Sequence, residues 1–273
     1  MAMTSSGERS IFDLISMRSR VAAITGGAGH IGKAFARALA QLGCDICILD
    51  IATDRAHEQA ASLRNEFGIR ASAFDVDLAD EKATKAAAEG VLLEYGGLDV
   101  LVNTAAYAGA TLPNDGKSVE EQTLAQWEAN INVTLTGTFL ATRAFVSQLR
   151  ASNHGAIINV ASIYGMVGPD MRLYDGTAMS NSAWYSAAKG GIIQLTRYFA
   201  TTLAPDIRVN CIAPGGVWRG QPEPFHLRYM ERTPLKRMAR EGDLCGALVY
   251  FASDLSAYVT GQVLMVDGGW TAW

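Results

Sequence analysis

Tyr185 and Lys189 stand four positions apart in Tyr185-Ser-Ala-Ala-Lys189. On a helix that spacing puts a phenol and an ammonium on one face. A phenol titrates near pH ~10, and an adjacent cation favours its ionised form. Lowering it by about 2.5 units takes roughly 3.4 kcal/mol of differential stabilisation. A phenol tuned in this way can exchange a proton with a substrate hydroxyl. Ser162 follows the run Ile157-Ile-Asn-Val160, which places its hydroxyl just past the carboxyl end of an expected strand, facing a crevice. Tyr-x-x-x-Lys alone is common in proteins, so its weight comes from the serine and from the glycine turn described next.

Thr25-Gly-Gly-Ala-Gly-His-Ile-Gly32 joins the run Val21–Thr25 to a helical pattern. A glycine-rich turn from strand to helix lets the backbone approach a pyrophosphate, and the helix start supplies amide donors and partial positive charge. Asp50 closes the next apolar run, 18 residues beyond Gly32. A carboxylate there accepts both hydroxyls of an adenosine ribose and repels a 2′-phosphate. Ile51 follows it, not an arginine that would hold such a phosphate, so these residues favour NAD over NADP. Asp75-Val-Asp-Leu78 offers a further carboxylate to an adenine amino group.

These groups need elements to position them. Short β-rich runs occur at Val21–Thr25, Ile46–Asp50, Ala71–Phe74, Leu98–Val102, Ala156–Val160, Ile207–Ile212 and Val263–Val266. Between them apolar residues recur at three and four, as in Ile31, Phe35, Ala38, Leu39 and Leu42, the mark of a helix burying one face. Strand and helix in alternation mean an α/β fold, a doubly wound parallel sheet of seven strands with helices on both faces. No linker divides it. Residues 1–18 are expected to be a flexible N-terminal extension and 19–273 a single domain. Two stretches interrupt the rhythm, an insertion at 169–182 and a possible lid at 215–233. Both fall beyond carboxyl ends of strands, where open α/β sheets bind ligands.

Composition narrows the function. Apolar residues are 49% and charged residues 18% of 273, which excludes a disordered chain. A net charge of −4 without a basic block argues against nucleic-acid and anionic-membrane partners. No run approaches a membrane span, and the leader lacks a signal-peptide core; a cytoplasmic protein is expected. Cys44 and Cys47 form a C-x-x-C, but on a strand residues three apart point to opposite faces, and no further ligands accompany them. They are expected in the core, and no metal site is expected.

Ser162, Tyr185 and Lys189 with the glycine turn resemble the pattern of the short-chain dehydrogenase/reductase family, over nearly the whole chain. Leu98-Asp-Val-Leu-Val-Asn-Thr-Ala105, Arg208-Val-Asn-Cys-Ile-Ala-Pro-Gly215, Val259-Thr-Gly261 and Val266-Asp-Gly-Gly269 are similar to further family segments. The resemblance implies a Rossmann fold and hydride transfer between a carbinol carbon and nicotinamide C4. It implies Tyr185 as general acid/base, Lys189 on the nicotinamide ribose and Ser162 on the substrate oxygen. Gly26, Gly29, His30, Ile31 and Gly32 would line the pyrophosphate turn, with Asp50 and Ile51 at the adenosine ribose. Asp77 and Leu78 would border adenine. Asn103 and Ala105 would lie beside the cofactor, and Pro214, Gly215 and Val217 beside the nicotinamide. A homotetramer or homodimer is implied as well.

The chain departs from the family at four places. His30 replaces the middle glycine of the turn, which histidine tolerates if its φ is negative. Asn103-Thr-Ala-Ala106 replaces Asn-Asn-Ala-Gly. Thr134 stands where a fourth catalytic residue, an asparagine, is usual, while Asn132 is two positions too early; the Thr134 hydroxyl could hold a proton-relay water. Ser162 and Tyr185 lie 23 positions apart, nearly twice the usual separation, the surplus being the 169–182 insertion. That insertion, with Gln221-Pro-Glu-Pro-Phe225 and the ending Asp267-Gly-Gly-Trp-Thr-Ala-Trp273, resembles a subgroup tied to flagellin modification and surface-polysaccharide sugars. A sugar or activated-sugar substrate is thereby implied. A general ketone or 3-oxoacyl reductase is the alternative within enzymes, and a non-catalytic NAD-binding scaffold the alternative outside them. Trp270 and Trp273 are expected at a subunit contact, and His57, His154 and His226 at the surface.

Overall fold

A computed structural model describes residues 9–106 and 118–273. Seven strands form: β1 Val21–Thr25, β2 Asp45–Asp50, β3 Ala71–Asp75, β4 Val100–Asn103, β5 Ala156–Val160, β6 Arg208–Pro214 and β7 Val263–Val266. They make one parallel sheet in the order β3-β2-β1-β4-β5-β6-β7. The expected runs match them to within two residues at either end. β1 and β5 are buried along their whole length, as aliphatic strands covered on both faces must be.

The period of two decides which helix meets which side chain. Ile46 and Ile48 point into one core, with Phe35, Leu39, Leu63, Leu248 and Phe251 from α2 (His30–Gln41), α3 (Thr53–Phe67) and α9 (Glu241–Ala252). Cys47 and Leu49 point into the other, with Val91, Phe145, Leu149 and Phe199 from α4 (Glu81–Tyr95), α6 (Gly137–Ala151) and α7 (Ala183–Thr202). Cys44 belongs to the first core and Cys47 to the second, so the C-x-x-C thiols lie on opposite sides of the sheet. The strand order turns at β1 and β4, which opens a crevice at the carboxyl ends of both strands.

The two irregular stretches are joined. The insertion carries a 3₁₀ turn at Met171–Tyr174, and the lid carries α8, Glu223–Arg232. Arg228 donates to the carbonyls of Leu173 (3.3 Å) and Asp175 (2.5 Å), and Arg232 pairs with Asp170 at 2.5 Å. The rings of Tyr174 and Phe225 meet at 5.2 Å. Insertion and lid therefore form one cap.

The N-terminal expectation needs correction from residue 9 onward. Ser10 caps a short helix, α1, Ile11–Ile15, Arg9 pairs with Asp254 at 2.6 Å, and Met17 is fully buried in the first core. These residues are docked, not a flexible extension; residues 1–8 of it lie outside the described residues. Among the described residues no helix is long and apolar enough to cross a membrane.

Candidate active site

α7 begins at Ala183, so Tyr185 and Lys189 lie on its first turns with the i, i+4 spacing on one face. The start of α7 sits close above the loop after β5 because Gly165 lacks a Cβ, which would come within 2.7 Å of the Lys189 backbone. Lys189 is 4% exposed, and its ammonium donates to the Val160 carbonyl at 2.9 Å, where β5 ends. Nζ stands 5.9 Å from the centre of the Tyr185 ring. Ser162 is buried and caps a 3₁₀ turn, its Oγ accepting the Tyr164 amide at 3.2 Å. Ser162 is near enough to the Tyr185 phenol to favour its ionised form. Three groups that the sequence separates by up to 27 positions thus converge.

Their titration differs from the expectation. Burial pushes the Tyr185 phenol up, a neighbouring phenol, Tyr174, adds to this, and only Ser162 pulls it back. Burial also lowers Lys189, to about 8. In the chain itself desolvation outweighs the lysine's influence, because the ammonium is turned to the Val160 carbonyl.

At the other end of the crevice, Gly26 takes φ 64°, and a Cβ there would come within 2.7 Å of Ala105. A Cβ at Gly32 would come within 2.7 Å of Gly27, so positions 26 and 32 of the turn admit only glycine. Gly29 begins α2 without any side-chain cap. The first-turn amides of His30, Ile31 and Gly32 therefore remain for an anion. Asp50 accepts the amides of Ala28 and Ala52, each at 2.9 Å, which fixes its carboxylate beside the turn, and Ile51 next to it is exposed. Uncapped helix, glycine turn and fixed carboxylate together suit a dinucleotide. Asn103 ends β4, buried, with Nδ2 donating to Asn159 at 2.9 Å and Oδ1 unpartnered. Leu78 is buried against Gly137, and Asp77 is exposed, accepting the Ala79 amide. Pro214 ends β6, Gly215 donates to Val266, and Val217 bridges to Ala239.

Comparison with known proteins agrees with this geometry. A family profile described as enoyl-(acyl carrier protein) reductase matches residues 26–271. The cis-4-hydroxycyclohexanecarboxylate dehydrogenase of Sinomonas cyclohexanicum is 38% identical, across 93% of this chain and 97% of that protein. The post-translational flagellin modification protein A of Campylobacter coli is 31% identical, across 93% and 99%. The structure of a gluconate 5-dehydrogenase from Burkholderia cenocepacia J2315, in complex with NADP and tartrate, superposes with a TM-score of 0.84 at 29% identity, covering 97% of this chain and all of that one. The chain belongs to the short-chain dehydrogenase/reductase family.

This dehydrogenase/reductase accommodates its departures locally. His30 opens α2 with helical backbone and an exposed ring whose Nδ1 is 4.0 Å from Glu241, so it keeps the turn without a glycine. Thr134 is fully buried in a π-helical turn, Asn132–Thr136, between α5 (Leu124–Ile131) and α6. Such turns concentrate at functional sites. Asn132 is exposed.

Sequence reasoning missed the wall beside Tyr185. Tyr164, Tyr174, Phe225, Tyr229 and Trp270 are all buried in one cluster against which the Tyr185 ring packs. Trp270 is 1% exposed within its own chain, edge-on to Tyr164 and with Arg232 at 4.3 Å over its face. Trp270 is therefore part of the core of its own chain, while Trp273 is exposed. His226 lies against Trp218 at 4.2 Å, with Nδ1 buried. Tyr164 had a legible signal, two positions after the strand-end serine; Tyr174 and Trp270 had none, since the cap alone brings them in.

Proposed function

We propose that the protein is an NAD(H)-dependent dehydrogenase that interconverts a ring-borne secondary alcohol, on a sugar or activated sugar, with its ketone. The observation that carries this reading is the convergence of the Tyr185 phenol and Ser162 beside an aromatic cluster. Ligand pockets combine apolar walls with a few convergent polar groups, and flat ring faces suit the C–H faces of a six-membered ring. Both relatives by sequence accord with it. One is named for a hydroxylated cyclohexane acid and the other for flagellin modification.

In this reading the Ser162 hydroxyl holds the substrate oxygen; Tyr185, as its phenolate, accepts the carbinol proton during oxidation, and the resulting phenol returns it during reduction. The nicotinamide supplies the hydride acceptor and donor when bound. Lys189 holds the ribose hydroxyls and keeps a positive charge below Tyr185. Gly26, Gly29, His30, Ile31 and Gly32 would carry the pyrophosphate, and Asn103, Ala105, Pro214, Gly215 and Val217 would flank the nicotinamide half. Leu78 and Asp77 would border adenine. Thr134 would hold the water through which the proton leaves. The preference for NAD rests on Asp50, whose carboxylate is fixed by two amides where a 2′-phosphate would stand, with no basic residue at position 51.

Reduced-nicotinamide absorbance tests the proposal. The panel sets NAD⁺ and NADP⁺ against sugars, sugar phosphates, nucleotide sugars and simple secondary alcohols, with 3-oxoacyl thioesters assayed in reverse. Turnover of ring alcohols with NAD⁺, reduced about 10²- to 10⁴-fold in Tyr185→Phe, is the expected result. Turnover confined to thioesters, or to NADP⁺, would overturn it.

A further inference from the structure

The lid and the nucleotide turn meet at one carboxylate that has no part in proton transfer. Arg219, in the lid, pairs through Nη1 with Oε1 of Glu241, the first residue of α9. The same oxygen lies 4.0 Å from Nδ1 of His30, the first residue of α2. One carboxylate oxygen thus reaches both the lid's guanidinium and the residue that opens the helix behind the glycine turn. The Arg219 and Glu241 side chains are 25% and 30% exposed, so the pair is open to an incoming ligand.

Fastening the lid does not account for this pair. The base of the lid is held by its backbone, with Trp218 donating to the Ala239 carbonyl at 2.8 Å and Ala239 to the Gly216 carbonyl at 2.9 Å. Val217 packs against the first core. Gln221 closes the turn that follows, its Nε2 donating to the Val217 carbonyl at 2.8 Å and its Oε1 accepting the Arg219 amide at 2.7 Å. These bonds place the Arg219 backbone without help from its side chain, and ion pairs open to water add little to stability.

Glu241 is also badly placed for the anion that the turn suits. The first-turn amides of α2 have no side-chain cap and attract a pyrophosphate, whereas a bare carboxylate beside them repels one. Arg219 resolves the conflict. Its guanidinium neutralises Glu241, and its planar fork of donors matches phosphate oxygens.

We propose that Arg219 is a ligand of the cofactor's pyrophosphate, kept beside the turn by Glu241 until the dinucleotide enters. This rests on the reading of the glycine turn as a dinucleotide site. On entry the guanidinium exchanges a carboxylate for phosphate oxygens. No proton moves, and Glu241 competes with the phosphate for the same donors. Removing the arginine and removing the competing charge therefore act in opposite directions.

The test is calorimetric titration with NADH and with ADP-ribose, which carries the pyrophosphate but no nicotinamide. The parent protein is compared with Arg219→Met, Glu241→Gln and the double variant. Arg219→Met should weaken both ligands by the same factor, about tenfold or more, the contribution of one charge-assisted hydrogen bond. Glu241→Gln should tighten both by about two- to fivefold, the strength of an exposed ion pair. The double variant should remain at least about fivefold weaker than the parent, because the phosphate has lost its ligand. A double variant restored to the parent's affinity would mean that Arg219 only screens Glu241, and would overturn the proposal. Two other results also overturn it: a loss confined to NADH, or weaker binding by Glu241→Gln. Should Arg219→Met fail to fold, Arg219→Lys, which keeps the charge but not the fork, should show a smaller loss in the same direction. Failure of the parent to bind either ligand would instead remove the dinucleotide reading, and this ligand with it.

Discussion

Lys189 shows how burial and function compete at one residue. Its ammonium is inside the protein, bonded to a single carbonyl, and its pKa falls from 10.5 to about 8. A lysine lowered by folding binds its proton more weakly in the native state than in the unfolded one. The destabilisation is complete below pH ~8 and is relieved as pH rises towards ~10.5, where the unfolded chain also loses its proton. The shift sets an upper bound of about 3 kcal/mol. Lys189→Met should therefore be more stable relative to the parent protein at pH 7 than at pH 10, by up to that amount, in urea unfolding followed at both pH values. An equal difference at the two pH values would remove the buried charge from the account. The identity of this residue was legible, since i, i+4 spacing from Tyr185 is local chemistry. The direction of the Tyr185 shift was not. It depends on Tyr174, Ser162 and the burial that several distant elements impose.

Insertion and α8 were separable in the sequence and are not separable in the fold. The strands, the glycine turn and α7 could be read from periodicity because each follows from its own residues. The cap could not, because Asp170 meets Arg232 across 62 positions and no local pattern encodes such a pairing. Asp170 is the junction: it caps its own turn through the Arg172 amide at 3.2 Å and pairs with the Arg172 and Arg232 guanidiniums. Arg172 beside it and the more distant Arg232 hold its carboxyl down at about 2. Because the native pKa lies below the ordinary value, this contribution is intact above pH ~4 and disappears as pH falls towards 2. Much of the Arg172 side is open to water, so the pairing is worth about 1 kcal/mol to the cap. Asp170→Asn should raise amide hydrogen exchange across 170–178 about three- to tenfold at neutral pH, with the sheet amides unaffected. Uniform acceleration over the whole chain would mean that the cap does not open as a unit.

Across the whole molecule, the parts that hold the fold closed lie away from the parts that do chemistry. Asp254, at the end of α9, gathers Arg9 at 2.6 Å, Arg20 at 2.8 Å and His154 at 3.3 Å. Burial alone would raise its carboxyl, but the hydrogen bonds from Arg9 and Arg20 outweigh it and the carboxyl is lowered. The N-terminal segment is thereby fastened to the end of the chain's last long helix while Met17 fills the core beneath β1 and β2. This docking was illegible because a short helix interrupted by Asp13 has almost no signal of its own; the stabilisation comes from partners more than 200 positions away. A buried methionine replaced by alanine costs about 2–5 kcal/mol, several degrees of Tm in a chain of this size. Met17→Ala should show that loss in thermal unfolding while its NADH dissociation constant stays within twofold of the parent, because neither Met17 nor α1 contributes to the crevice at β1 and β4. Weakened NADH binding in the folded variant would show that the first core and the nucleotide turn respond as one body. Unchanged binding with a lower Tm would place the boundary between stability and site at the N-terminal end of β1.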